Sequence, residues 1–133
     1  MSQENVEIRN QAVRDFVAAF EDDDDAFRAV LHPEIEWYPI EENRTPTHGI
    51  EAALRNRNQW LDTWDEHRLG IEEVVEEGPN VVALIHLNGR GKTSGVEVDV
   101  RFYAQIRVQH GKVVYIYDHE ERAAALEAAG LGE

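Results

Sequence analysis

The chain has no cysteine. That excludes a disulfide framework, a thiolate zinc site and a cysteine nucleophile. It fits a reducing, cytoplasmic setting. No stretch approaches the roughly 18 consecutive apolar residues of a membrane span. The first residues, MSQENVEIRNQ, lack the basic start and apolar run of a secretory leader. Positive charge is scarce: 13 Lys and Arg stand against 27 Asp and Glu, a net charge of −14. Lys92 and Lys112 are the lysines, and every other base is an arginine. Such a surface repels phosphate backbones and anionic lipid, which argues against nucleic acid and membrane as partners. The plain meaning of the charge is solubility; adaptation to a salty cytoplasm is the sharper one.

What remains is enough for one domain, 1–133, with a single core: 133 residues, 42% of them apolar. Residues 5–21 place Ile8, Ala12, Phe16 and Phe20 on one helical face, with Val13 and Val17 beside them. The run DDDD at 22–25 is a solvated turn that puts acids at the start of a second short helix, AFRAVL, ended by Pro33. EIEWYPI at 34–40 alternates as a strand, with Ile35, Trp37 and Pro39 on one face, and 41–49 reads as a loop. A long helix is expected from Gly49 to about Asp65, burying Ile50, Ala53, Leu54, Leu61 and Trp64, with Trp60 on its flank. Strands follow at 69–77, 80–91, 95–109 and 112–118, then a short helix with Gly130 as its C-cap. In 95–109 every even position from Val96 to Val108 is apolar, which predicts one inward face. The odd positions, Glu97, Asp99, Arg101, Tyr103, Gln105 and Arg107, form a face of mixed charge. The order predicts an α+β fold with helices on one side of an antiparallel sheet.

LHPEIEW after two helices, THG opening a long helix that ends WLDTWDEH, GRGKTSGVEVDV, and GKVV followed by EERAAALEAAGL carry a resemblance over nearly the whole chain. In their order and spacing they resemble the SnoaL-like branch of the nuclear transport factor 2-like superfamily. The resemblance implies a cone: a strongly curved antiparallel sheet wrapped around the long helix, with an apolar cavity inside. It also implies a homodimer, commonly made through the outer sheet face, which the mixed odd face of 95–109 would suit. It names no single function, since members include isomerases, cyclases, epoxide hydrolases, dehydratases, binding proteins and association domains.

Three chemistries of the superfamily can be tested on these residues. Ketosteroid isomerases use a carboxylate base on the first strand, a tyrosine on the first helix and a second enolate donor. Those places fall at Pro39, Phe16 and near Tyr103, and Glu36 has the outward phase. Epoxide hydrolases need two carboxylates bridged by an arginine, with tyrosine and asparagine on the first strand. Asp118 matches one carboxylate, but residues 82–88 hold no Arg-x-Asp, and Trp37 and Pro39 occupy the water-holding places. SnoaL-like cyclases resemble this chain best. They ask for one acid–base aspartate in an apolar cavity, and Asp118 is the position carried over. By alternation Asp118 shares a face with Val114 and Ile116. A carboxyl group among apolar atoms is desolvated, which moves its pKa up toward the range useful near neutral pH. The competing reading is structural: DHEE at 118–121 fits a capping box, with Asp118 at N-cap and Glu121 at N3.

Trp37, Trp60, Trp64, Phe16, Phe20 and Phe102 are expected to line the cone, as core and wall together. His48 and His119 are placed to reach its mouth. The six histidines lie in different elements without helical pairing, so neither a metal site nor a cofactor is expected. GRGKTSG is not a phosphate loop: its first glycine would fall on His86, and the stretch joins two strands. The expected function is a pocket for a small apolar, oxygenated molecule, with cyclisation, isomerisation or dehydration at Asp118. The alternative is a non-catalytic ligand-binding or dimerising module.

Overall fold

The computed structural model describes residues 3–38, 46–77 and 80–130. The order is α1 (Gln3–Phe20), α2 (Asp24–Ala29), β1 (Leu31–Tyr38), β2 (Thr47–His48), α3 (Ile50–Asp62), β3 (Trp64–Glu77), β4 (Asn80–Gly91), β5 (Glu97–Gln109), β6 (Lys112–His119) and α4 (Arg122–Ala129). The sheet runs β2-β1-β6-β5-β4-β3. The four strands β3 to β6 form the expected antiparallel meander, and β1 adds in parallel beside β6. Pro39 and residues 40–45 lie outside the described residues.

One face of α1 is buried as its periodicity predicts: Ala12, Val13, Phe16, Val17 and Phe20. Ile8 is exposed, beyond the edge of the core. Asp23 caps α2, its carboxylate accepting the Ala26 amide at 2.8 Å. That helix ends at Ala29, earlier than Pro33, because Leu31 already belongs to the sheet and pairs with Val113. The hairpin between β5 and β6 closes through His110 and Gly111, both at positive φ (55° and 74°). Two consecutive left-handed residues match the right-handed twist of the flanking strands. Gly130 ends α4 in the left-handed conformation, as expected of a C-cap.

Four expectations need correction. The long helix stops at Asp62, with Thr63 as its cap, so Trp64 opens β3 and is not on the helix. There it packs across Gly89: a Cβ at that position would lie 2.7 Å from the indole Cε3, so the close approach requires glycine. The even residues at 96–108 keep one inward phase, with Val100, Phe102, Ala104 and Ile106 all on the cavity, but they are not uniformly buried. Ala104, Ile106 and Val108 are buried, whereas Val96 and Val100 are 58% and 44% exposed, because the strand outruns the helices that cover the concave face. The helices do not all lie on one side. The α1 and α3 residues join the main core, but α4 packs on the opposite face, where Ala125 and Ala129 meet Val82 and Tyr103. Finally, alternation along β6 is broken by a bulge. Tyr115 opposes Arg107 and Val113 opposes Val108, leaving Val114 as the extra residue. Val113, not Val114, is the fully buried partner of Ile116 and Asp118.

Candidate functional site

The concave face of the sheet, α1 and α3 enclose a cavity of about 550 Å³. Its wall is apolar over most of its extent. Leu69, Ile85, Leu87, Phe102, Ala104, Ile106 and Ile116 line it from the sheet. Phe16, Val17 and Phe20 line it from α1, and Trp37 and Trp60 from β1 and α3. Phe20 is the hub of the aromatic wall. It meets Trp60, Trp37 and Phe27 edge-on, with ring centroids 5.1, 5.7 and 5.6 Å away. Edge-to-face packing of this kind fixes ring orientation as well as burying area.

Asp118 sits in this wall. It is 8% exposed, opposite Ala104 on β5. The Trp37 indole Nε1 donates to its Oδ2 at 3.2 Å. Two elements bring the pair together: Trp37 pairs with Ile116, two residues before Asp118, across the parallel β1–β6 contact. The capping alternative does not hold. The helix α4 begins at Arg122, and its N-cap is Glu121, whose side chain makes no cap bond. Asp118 lies within β6, four residues before that helix begins, so it does not cap it.

Of the residues read from the sequence as wall, Phe16, Phe20, Phe102, Trp37 and Trp60 line the cavity. Trp64, His48 and His119 do not. Trp64 packs behind Trp60, 5.7 Å between centroids with the rings inclined at 55°, because it has left the helix. His48 is exposed on β2, opposite Glu36. His119 points to the outer face, where its Nε2 meets the Gln105 carboxamide at 2.9 Å and its ring covers Tyr117. Tyr103, near the place of the isomerases' second enolate donor, is also on the outer face, against α4. Phe16, read from the sequence as the place of those enzymes' tyrosine, lines the wall.

Polar groups at the rim are Glu120 and Arg101. Arg101 is engaged on the outer face by Glu72, with Nε–Oε1 2.6 Å and Nη2–Oε2 3.3 Å. That hydrogen bond holds the Glu72 carboxyl below the usual carboxylate range. His86 joins the same network, 2.6 Å from Asp99 and 3.2 Å from Glu72, and points outward as its phase predicts. Among the described residues no three His, Asp or Glu side chains form a metal-binding group.

Sequence reasoning missed Arg57. Its guanidinium is buried under α1, donating to the carbonyls of Ala19, Phe20 and Asp22 and pairing with Asp24 at 2.7 Å. A helix C-terminus with no basic residue in its last turn was the available signal.

A curved α+β sheet with an apolar interior and one buried carboxyl group defines a small-molecule cavity fold. The SnoaL-like domain family model matches residues 13–116, and the chain belongs to that family. No curated protein matches it. Three solved structures superpose on it with a TM-score of 0.75. TerC, co-crystallised with polyporic acid, is 19% identical, over 92% of this chain and 98% of its own. A nuclear transport factor 2-like protein of unknown function from Burkholderia pseudomallei K96243 is 22% identical, over 97% and 98%. A candidate SnoaL-like polyketide cyclase from Jannaschia sp. CCS1 is 20% identical, over 95% and 94%. At those identities the likeness establishes a shared fold.

Proposed function

We propose that the cavity binds an apolar, oxygenated small molecule and that Asp118 performs acid–base chemistry on it. The observation that carries this reading is a carboxyl group in the wall of an otherwise apolar cavity, oriented by the Trp37 N–H. A substrate already inclined to enolise suits it best. Asp118 takes a proton from the carbon beside a carbonyl, and the C–H electron pair becomes the enolate double bond. That carbon attacks a second carbonyl of the same molecule, and the protonated Asp118 returns its proton to the new alkoxide. The ring closes with atoms and charge balanced, and no external reductant or oxidant enters. The apolar wall excludes water that would compete for the enolate. Membership in the SnoaL-like family supports the reading.

The test uses 2-tetralone, a two-ring ketone small enough for the cavity. In D2O the protein should accelerate exchange of its α-protons. Asp118→Asn should lose that acceleration by roughly 10²–10⁴-fold, with unchanged folding and unchanged quenching of tryptophan fluorescence on binding. Trp37 and Trp60 in the wall supply that signal. Exchange that survives the substitution rejects Asp118 as the acid–base group. Polyporic acid, the compound crystallised with TerC, is a second binding probe. If it quenches equally in both proteins and neither accelerates exchange, the cavity is a carrier site and not a catalytic one.

A further inference from the structure

The cavity has a direction, and the strands define it. Ile106, Ala104, Phe102 and Val100 follow one another along the inward face of β5, and all four line the cavity. Ile106 is fully buried and Ala104 nearly so, whereas Val100 is 44% exposed. The cavity is therefore closed at Ile106 and opens at Val100. Asp118 stands opposite Ala104, in the closed half. Strand β6 ends at His119, and the next residue, Glu120, also lines the cavity but is exposed. Two residues of extended chain put it about 7 Å nearer the mouth than Asp118.

The mouth thus carries one charge of each sign, Glu120 and Arg101. They are not equally available to a ligand. Arg101 has the outward phase on β5, and Glu72 holds its guanidinium through two hydrogen bonds on the outer face. Asp99 adds a second acid 3.9 Å from it. Among the described residues no hydrogen bond or ion pair engages the Glu120 carboxylate. The other charged group in the cavity wall, Asp118, is again an acid. A carboxylate only accepts hydrogen bonds, so what meets Glu120 must donate.

We infer that Glu120 is a specificity-determining residue of this cavity: it receives a hydroxyl group at the mouthward end of the ligand and turns away a ligand that carries a carboxylate there. The inference rests on the cavity being the substrate site proposed above. It narrows the substrate class to an enolisable ketone with a hydroxyl group on the far side of an apolar body. The ketone end lies at Asp118, the body on Phe102, Ile85 and Leu87, and the hydroxyl at Glu120. A hydrogen bond to a carboxylate is stronger than a neutral one. A ligand carboxylate at the same place meets like charge and finds no donor. One rival gives the rim to Arg101, which would favour the carboxylate. The other makes Glu120 a solvated bystander.

The test compares 2-tetralone with its 6-hydroxy and 6-carboxy derivatives, whose substituent lies across the aromatic ring from the enolisable C1. Dissociation constants are read from tryptophan quenching. Each derivative is referred to 2-tetralone in the same protein, so a general loss of stability or affinity cancels. The wild-type protein should bind the hydroxy compound about tenfold more tightly than the parent. It should bind the carboxy compound about tenfold more weakly. In Glu120→Gln the hydroxyl preference should fall to about threefold or less, because the amide accepts without charge. The penalty on the carboxylate should shrink with it. Tighter binding of the carboxy compound by the wild type overturns the inference in favour of Arg101. Ratios near one in the wild type, or ratios that Glu120→Gln leaves in place, overturn it in favour of the bystander. These comparisons need no turnover. Failure of Asp118 as the acid–base group shows separately, as wild-type exchange in Asp118→Asn. Absence of quenching by all three ligands removes the cavity reading and this inference together.

Discussion

Arg57 is 1% exposed, and its guanidinium also lies 4.7 Å over the Phe27 ring. It fills the place a basic residue in the last turn of α1 would otherwise take. Removing it takes a donor from the carbonyls of Ala19, Phe20 and the turn residue Asp22, leaves Asp24 without its partner and opens space beside Phe27. Arg57→Ala should destabilise the protein by about 2–4 kcal/mol in urea unfolding. Arg57→Lys should recover only part of this, because an ammonium cannot match the planar fork. The same scale shows what was legible beforehand. Asp118, Trp37, Phe16, Phe20, Trp60 and Phe102 are readable as cavity residues because strand phase and helix face suffice to aim them inward. Arg57 was not readable, because its partners lie 33 to 38 residues away and no local period encodes such a contact.

At the level of elements, the strands and helices are legible in kind and order, and the errors gather at their ends. Trp64 looked helical because it continues the apolar spacing of α3. Gly89 overrides that spacing by offering a flat surface for the indole on the neighbouring strand. The β6 bulge was hidden, since Val113 and Val114 have the same side chain and either suits the core. The Trp64–Gly89 contact makes a specific prediction. Gly89→Ala should cost about 1–3 kcal/mol by overpacking, read as a drop in thermal midpoint. Trp64→Leu in the same chain should return part of that loss, giving a non-additive double-mutant cycle.

For the whole molecule, charge is the feature composition states most directly. A net charge of −14 on 133 residues works against compactness, because the acids repel one another more in the folded chain than in the expanded one. Raising NaCl from about 0.05 M to about 0.5 M screens that repulsion. The thermal midpoint should therefore rise with salt, although exposed pairs such as Arg28–Glu51 weaken. A midpoint that falls with salt would mean that such pairs outweigh the repulsion. The fold itself, an α+β curved sheet of the SnoaL-like family, was legible from the order of elements. The placement of α4 on the outer face was not, because a short alanine-rich helix has no strong apolar stripe to aim it.

The pairing of β1 with β6 sets the order in which this protein is built. Trp37 and Asp118 are 81 residues apart, and β1 has only the two-residue β2 on its other side. While the ribosome is still making β3, β4 and β5, the first strand has no long neighbour to complete its backbone hydrogen bonds. Only when Lys112–His119 emerges do the two halves of the sheet close, and the same event delivers the carboxyl group to the indole. A nascent chain stopped short of Lys112 would carry two open strand edges, at β1 and β5, and edges of that kind invite association with other chains. Closing the sheet and completing the cavity wall thus depend on the same long-range strand pairing.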